Sequence, residues 1–193
     1  MKKFLAVFSA LLALGTCNVS AQAATPYISA SGGVAMYTDV NNKPVKAGFN
    51  AKGAFGVTMD SNRVEAELGS QFNIDWIVSA LFGDVAVVSA STFFVNGYHD
   101  FKGWVLEPYL TAGVGYAYVE YGQRSAWSLS ENYDGSRSAF AYQVGAGAAL
   151  PLSDNLAIDA QYRYFGTSTI NDEKFGNFSA SSHNILTGIR ISF

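Results

Sequence analysis

The sequence predicts an all-β protein, an eight-stranded antiparallel up-and-down β-barrel that crosses a membrane. Three observations carry this. Apolar and polar residues alternate with period two along eight segments, and the connections between segments switch between short and long. The chain is also rich in aromatics (15%) and poor in charge (14%), where soluble domains carry about a quarter charged residues. A wall that faces lipid accepts rings and few charges.

A leader precedes the first segment. Lys2 and Lys3 form a basic head, Phe4–Leu14 an apolar run, and Ala21-Gln22-Ala23 a small-residue exit. That order reads as a secretory signal peptide, too short to span a bilayer as a helix. Residues 1–23 are expected to be removed, with cleavage after Ala23 or one residue later. A lipid-bearing Cys17 is the competing reading, but Thr16 before it fits poorly and the Ala-x-Ala exit lies beyond it. With the leader gone, 193 less 23 leaves 170 residues, one domain over 24–193 without cysteine. Its formal charge moves from −3 to −5 as Lys2 and Lys3 leave. Neither a disulfide framework nor a basic block for nucleic acid remains.

The eight segments are 26–38, 46–59, 63–80, 85–100, 104–120, 138–152, 156–166 and 182–193. Each reaches the roughly nine to eleven residues a tilted strand needs to cross. Trp76–Val95 could pass for an apolar helix, but Gly83-Asp84 interrupts it with a turn signal, and its Val, Ser, Thr and Phe suit strands. Short connections at 60–62, 102–103 and 153–155 alternate with longer polar ones at 39–45, 121–137 and 167–181. A tight turn near Gly83 is the exception. Short turns belong to the periplasmic side, which places both termini there.

Faces follow from the last residue. With Phe193 toward lipid, Ile185, Ile189 and Ile191 also face out, while Asn184, Arg190 and Ser192 face in. Residues opposite each other across a hairpin share a face, so turn lengths carry this parity along the chain. Pairing Leu152 with Leu156 puts Ile158, Tyr162, Tyr164, Phe140, Tyr142 and Val144 outside, with Asp159, Gln161, Arg163 and Gln143 inside. Pairing Phe101 with Trp104 puts Leu106, Leu110, Val114, Tyr116 and Tyr118 outside, and Glu107, Tyr109 and Thr111 inside. In the third segment Val64, Leu68, Phe72 and Trp76 face out; Arg63, Glu65, Glu67 and Gln71 face in. A one-residue slip would push those charges into hydrocarbon, where arginine alone costs about 2–4 kcal/mol at mid-depth.

A soluble lipocalin-type barrel alternates too, with its apolar side inward. The terminal Phe193, the long loops and two sets of aromatics favour the membrane. Trp76, Tyr116, Tyr118, Tyr162 and Tyr164 would form an outer girdle, and Phe101, Trp104 and Phe193 an inner one.

Glu107-Pro108-Tyr109-Leu110-Thr111-Ala112-Gly113-Val114-Gly115-Tyr116 resembles the fifth strand of the eight-stranded outer-membrane β-barrel family, of the opacity-protein and OmpA-transmembrane-domain type. Gln143-Val144-Gly145-Ala146-Gly147 and the ending Gly188-Ile189-Arg190-Ile191-Ser192-Phe193 resemble it as well. The resemblance covers the whole mature chain on structural motifs. It implies an outer-membrane location, contact with outer-membrane lipid and lipopolysaccharide, and a terminal Phe193 of the kind the barrel-assembly machinery recognises. It implies no catalytic residues. A peptidoglycan-binding domain follows some such barrels; none is expected here, since the last segment is the end of the sequence.

The inward charges are the candidate site. Lys52, Arg63, Arg163 and Arg190 stand against Glu65, Glu67, Glu107 and Asp159. An eight-stranded barrel is just wide enough for side chains to fill it, and buried charges persist when paired. A salt-bridge plug is therefore expected, with a narrow porin-like pore as the alternative. Inward Gly113, Gly115, Gly145, Gly147 and Gly188 would make room for long inward side chains, and Pro108 predicts a local bulge. Gly145-x-Gly147 is no dinucleotide loop, because no helix follows it.

Some small outer-membrane barrels modify lipid A. The nearest candidate here is outward Ser181-x-His183 with Asp172 or Glu173, an order that does not match the lipid A deacylases. His99 shows no evident partner. Two distant histidines give no zinc spacing, so no catalytic, metal or cofactor residues are assigned. The expected role is structural or surface interaction, opacity- or adhesin-like. Loops 121–137 and 167–181 would present an extracellular ligand surface; Tyr121, Arg124, Trp127, Tyr133 and Arg137 supply the aromatic and basic character such surfaces use.

Overall fold

The computed structural model describes residues 24–37, 47–73, 85–124, 131–169 and 179–193. They form β1 (Thr25–Tyr37), β2 (Gly48–Met59), β3 (Asn62–Asn73), β4 (Val85–Asp100), β5 (Glu107–Arg124), β6 (Glu131–Pro151), β7 (Leu156–Thr167) and β8 (Ser181–Ser192). Every neighbouring pair is antiparallel, and β8 returns to β1, closing the barrel in the order β1 to β8. The signal-peptide residues 1–23 lie outside the described residues.

Closure leaves the described strands two faces, and the predicted parity holds on both. Leu68, Val114 and Ile185 are 66%, 54% and 54% exposed on the outer wall, while Glu67, Asn96 and Asn184 are buried in the lumen. No water-soluble chain displays an apolar coat of this extent without a partner phase. The lipocalin-type arrangement, apolar inside and ionic outside, is thereby excluded.

Three turns close one end, here the turn end. Asp60-Ser61 is a two-residue turn, since Met59 pairs with Asn62, and Asp60 takes φ 51°; the expected turn at 60–62 is one residue shorter than predicted. The turn 153–155 is as expected: the Leu152 N–H donates to the Leu156 carbonyl at 2.8 Å. The β4–β5 turn is longer than Lys102-Gly103. Phe101 pairs toward Pro108, its N–H donating to the Pro108 carbonyl at 2.9 Å. Trp104, Val105 and Leu106 therefore lie in the turn and not in β5, although the face parity survives the shift.

Pro108 causes no bulge. Its register with Ala148 is unbroken, and its missing N–H falls at the last rung of the β4–β5 ladder, where the loss is smallest. The irregularity lies instead at Tyr121/Gly122. Phe72 pairs with Ser89, whereas a tight turn at Gly83-Asp84 would have set it against Val95; that connection itself lies outside the described residues. Most of the expected loop 121–137 is strand, because β5 runs to Arg124 and β6 starts at Glu131.

Candidate functional site

β3 builds the centre of the lumen. Val64, Ala66 and Leu68 turn outward, so Arg63, Glu65 and Glu67 turn inward in succession, each no more than 3% exposed. Their partners come from every side of the barrel, and each of the three is held differently.

Arg63 meets a residue the sequence reading did not include. Its Nε and Nη2 donate to Asp100 Oδ2 and Oδ1 at 2.8 and 2.7 Å, a two-pronged pairing that suits the planar guanidinium. Tyr98 and Tyr109 flank it, with the guanidinium carbon 4.3 and 4.9 Å from their ring centres, and such contacts add about 0.5–2 kcal/mol each. Asp100 was findable: it follows Asn96 and Tyr98 in steps of two along β4. Glu107, expected in this network, is half-buried at the turn-end rim and joins no ion pair among the described residues.

Glu65 has no ion-pair partner among the described residues. Tyr27 and Ser29 hydroxyls donate to its Oε2 at 3.1 and 3.3 Å, and the Tyr98 hydroxyl donates to Oε1 at 2.9 Å. Glycine makes this possible. Gly56 pairs with Tyr27, and a Cβ there would lie 2.5 Å from the tyrosine ring. Gly147 accommodates Tyr109 in the same way, again at 2.5 Å, as the inward glycines were expected to do.

Glu67 takes two cations. Lys52 Nζ donates to Oε2 at 2.9 Å, Arg163 Nη1 donates to Oε1 at 2.8 Å, and Asn96 Nδ2 adds a third donor at 3.0 Å. Lys52 also donates to Gln161 Oε1 at 3.2 Å. The fourth cation, Arg190, is looser, 3.8 Å from Asp159. The four inward cations thus face Glu67, Asp100 and Asp159, with Glu65 satisfied by neutral donors.

Beyond Glu67, away from the turns, the lumen changes character. Phe94 and Phe165 meet edge to face at 6.0 Å and pack with Ala117, Val119 and Ala141. Opposite them Asn50 Nδ2 donates to Asn184 Oδ1 at 3.0 Å, and Asn184 Nδ2 donates to Ser182 Oγ at 3.0 Å.

On the outer wall, Tyr116, Tyr118 and Tyr162 are 53%, 44% and 49% exposed, and Tyr164 faces outward beside them. Phe101, Trp104 and Phe193 are exposed at the turn end. Trp76 of the expected girdle lies outside the described residues. His183 Nδ1 is 2.7 Å from the Tyr162 hydroxyl and its ring stacks on Tyr162, so its hydrogen-bond partner is a tyrosine rather than Ser181. Asp172 and Glu173 lie outside the described residues. His99, expected to have no partner, has Asn62 Oδ1 at 3.0 Å and the Phe101 ring edge-on at 5.0 Å.

An apolar wall around an ionic lumen, closed strand to strand, defines a transmembrane β-barrel. Residues 9–193 match the family described as outer membrane protein beta-barrel domain, and the chain belongs to that family. Its location is the bacterial outer membrane.

Among individual proteins, it is similar to outer membrane protein PagN of Salmonella typhimurium, 32% identical over 100 residues. That match covers 50% of this chain and spans 41% of the relative's length. Neisserial surface protein A superposes with a TM-score of 0.68 at 18% identity, over 89% of this chain and all (100%) of that one. A major outer membrane protein from Thermus thermophilus gives 0.57 at 15% identity, over 89% and 100% respectively. At these identities the structural likeness speaks for the fold alone.

Proposed function

We propose that the protein is a non-catalytic outer-membrane barrel with a closed lumen, whose role is structural or is exercised at the cell surface by its long connections. The observation that carries the closed lumen is that side chains fill it, Lys52, Arg63 and Arg163 paired with carboxylates at 2.7–2.9 Å and Phe94 and Phe165 packed edge to face beyond them. Charges held this way cannot be removed singly without stranding a partner, at about 3–5 kcal/mol, so they do not serve as a free ion path. The surface role rests on β5 and β6, the longest strands at 18 and 21 residues. Their mutual pairing continues to Arg124 and Glu131, well past the last β6–β7 pair at Ala141 and Thr167. The far end of the β5–β6 hairpin and the β7–β8 connection would meet an extracellular ligand, the wall would meet lipid and lipopolysaccharide, and Phe193 would be read by the assembly machinery.

The test is electrical. Refolded protein in a planar bilayer should give no steady ohmic steps; regular steps would replace this reading with the narrow pore. Lipid A mass analysis with His183→Ala addresses catalysis, and unchanged lipid is the expected result.

A further inference from the structure

We propose that the lumen is a blind vestibule, wet from the turn end and sealed by the Phe94–Phe165 layer rather than by the ion pairs. The inference deepens the closed-lumen reading and rests on it.

Two observations separate the halves. Below the rings, a cavity of about 20 Å³ is bounded by Ser31, Lys52, Glu65, Asp159, Gln161 and Arg190. That is room for about one water. Two buried groups on its lining residues lack a hydrogen-bond partner: Asp159 Oδ1, an acceptor, and Gln161 Nε2, a donor, on a residue only 6% exposed. Water entering the cavity would supply the partners these groups lack. An ion fits less well, since Lys52, Arg63 and Arg190 border the cavity together with Glu65 and Asp159. Asp159 and Arg190, at 15% and 11% side-chain exposure, are the least buried of the ion-paired lumen groups and mark where water enters.

Above that level the side of the lumen formed by β4 to β7 is apolar. Phe94 pairs directly with Glu67 and Phe165 with Gln143, so both rings lie level with the upper end of the ion-pair network. Phe94, Ala117, Ala141 and Phe165 are 1%, 0%, 0% and 4% exposed. Charged side chains can rehydrate and change partners when water arrives, whereas a packed apolar layer blocks ions by refusing to wet. The opposite side is amide-lined by Asn50 and Asn184. Removing the rings would therefore leave a wettable passage beside it.

The experiment compares refolded proteins in planar bilayers, each first checked for faster migration of the unboiled barrel on a denaturing gel. The wild type should be silent. The double variant Phe94→Ala, Phe165→Ala should show discrete ohmic steps, and Phe94→Leu, which keeps an apolar filler, should remain silent. The triple variant Lys52→Gln, Glu67→Gln, Arg163→Gln removes the ion lock under an intact cap and should also remain silent. A folded double alanine variant without steps, or a triple glutamine variant that conducts, overturns the seal. A conducting wild type overturns the closed-lumen reading itself. Should the double variant not fold, Phe165→Ala alone is recorded with a small cation such as ammonium, and silence there counts against the seal.

Discussion

Glu65 and Glu67 leave the same strand in the same direction, two residues apart, yet the regions around them are built on different principles. Around Glu67 two cations and an amide converge from β2, β7 and β4. Around Glu65 the donors are two tyrosines, a serine and an amide, with no cation among the described residues. The difference teaches that a buried carboxylate needs satisfied oxygens more than it needs an opposite charge. It also makes the two sites fail differently.

The largest expected effect is at Glu67. Glu67→Gln strands Lys52 and Arg163 together, and a loss of about 3–5 kcal/mol is expected in urea titrations of vesicle-bound protein followed by tryptophan emission. Adding Arg163→Met should restore part of that loss; a strictly additive double variant would show that the two side chains do not act as a pair. Next comes Arg63→Lys, which keeps the charge but surrenders the two-pronged contact with Asp100 and the stacking between Tyr98 and Tyr109. About 2 kcal/mol is expected. Glu65→Gln breaks no ion pair and keeps an acceptor, so about 1 kcal/mol is expected; a loss equal to that at Glu67 would erase the distinction between the regions. The smallest effect belongs to the outer wall, where Tyr162→Phe removes the hydroxyl facing His183 at the cost of about 0.5 kcal/mol.

The fold was legible because the side-chain period of a strand is two, and one anchor residue propagates around a barrel. Phe193 outward placed Arg163 and Arg190 inside, and the cost of charge in hydrocarbon placed Arg63, Glu65 and Glu67 there. The site was less legible where partnership depends on depth as well as face. Glu107 and Asp100 both lie on the inward face, but only Asp100 is within reach of Arg63, because the longer β4–β5 turn carries Glu107 toward the rim. Parity survives a change in turn length by an even number of residues, and depth does not. The same reason explains Trp104, assigned to a strand and found in a turn. The roles of Phe94 and Phe165 were hidden differently: apolar residues on the inward face look like exceptions to the pattern, and no rule of alternation says that two of them from β4 and β7 will meet.

The joint between β1 and β8 has a consequence for how the protein comes into being. Tyr27 pairs with Ser192 and Tyr37 with Ser182, so the first strand to be synthesised finds its second neighbour only in the last. Until then β1 carries a bare row of amides and carbonyls, an invitation to pair with any passing chain. In hydrocarbon that row has no water to satisfy it. Insertion and closure are therefore coupled: β1 is satisfied within the bilayer only when β8 has come to lie beside it.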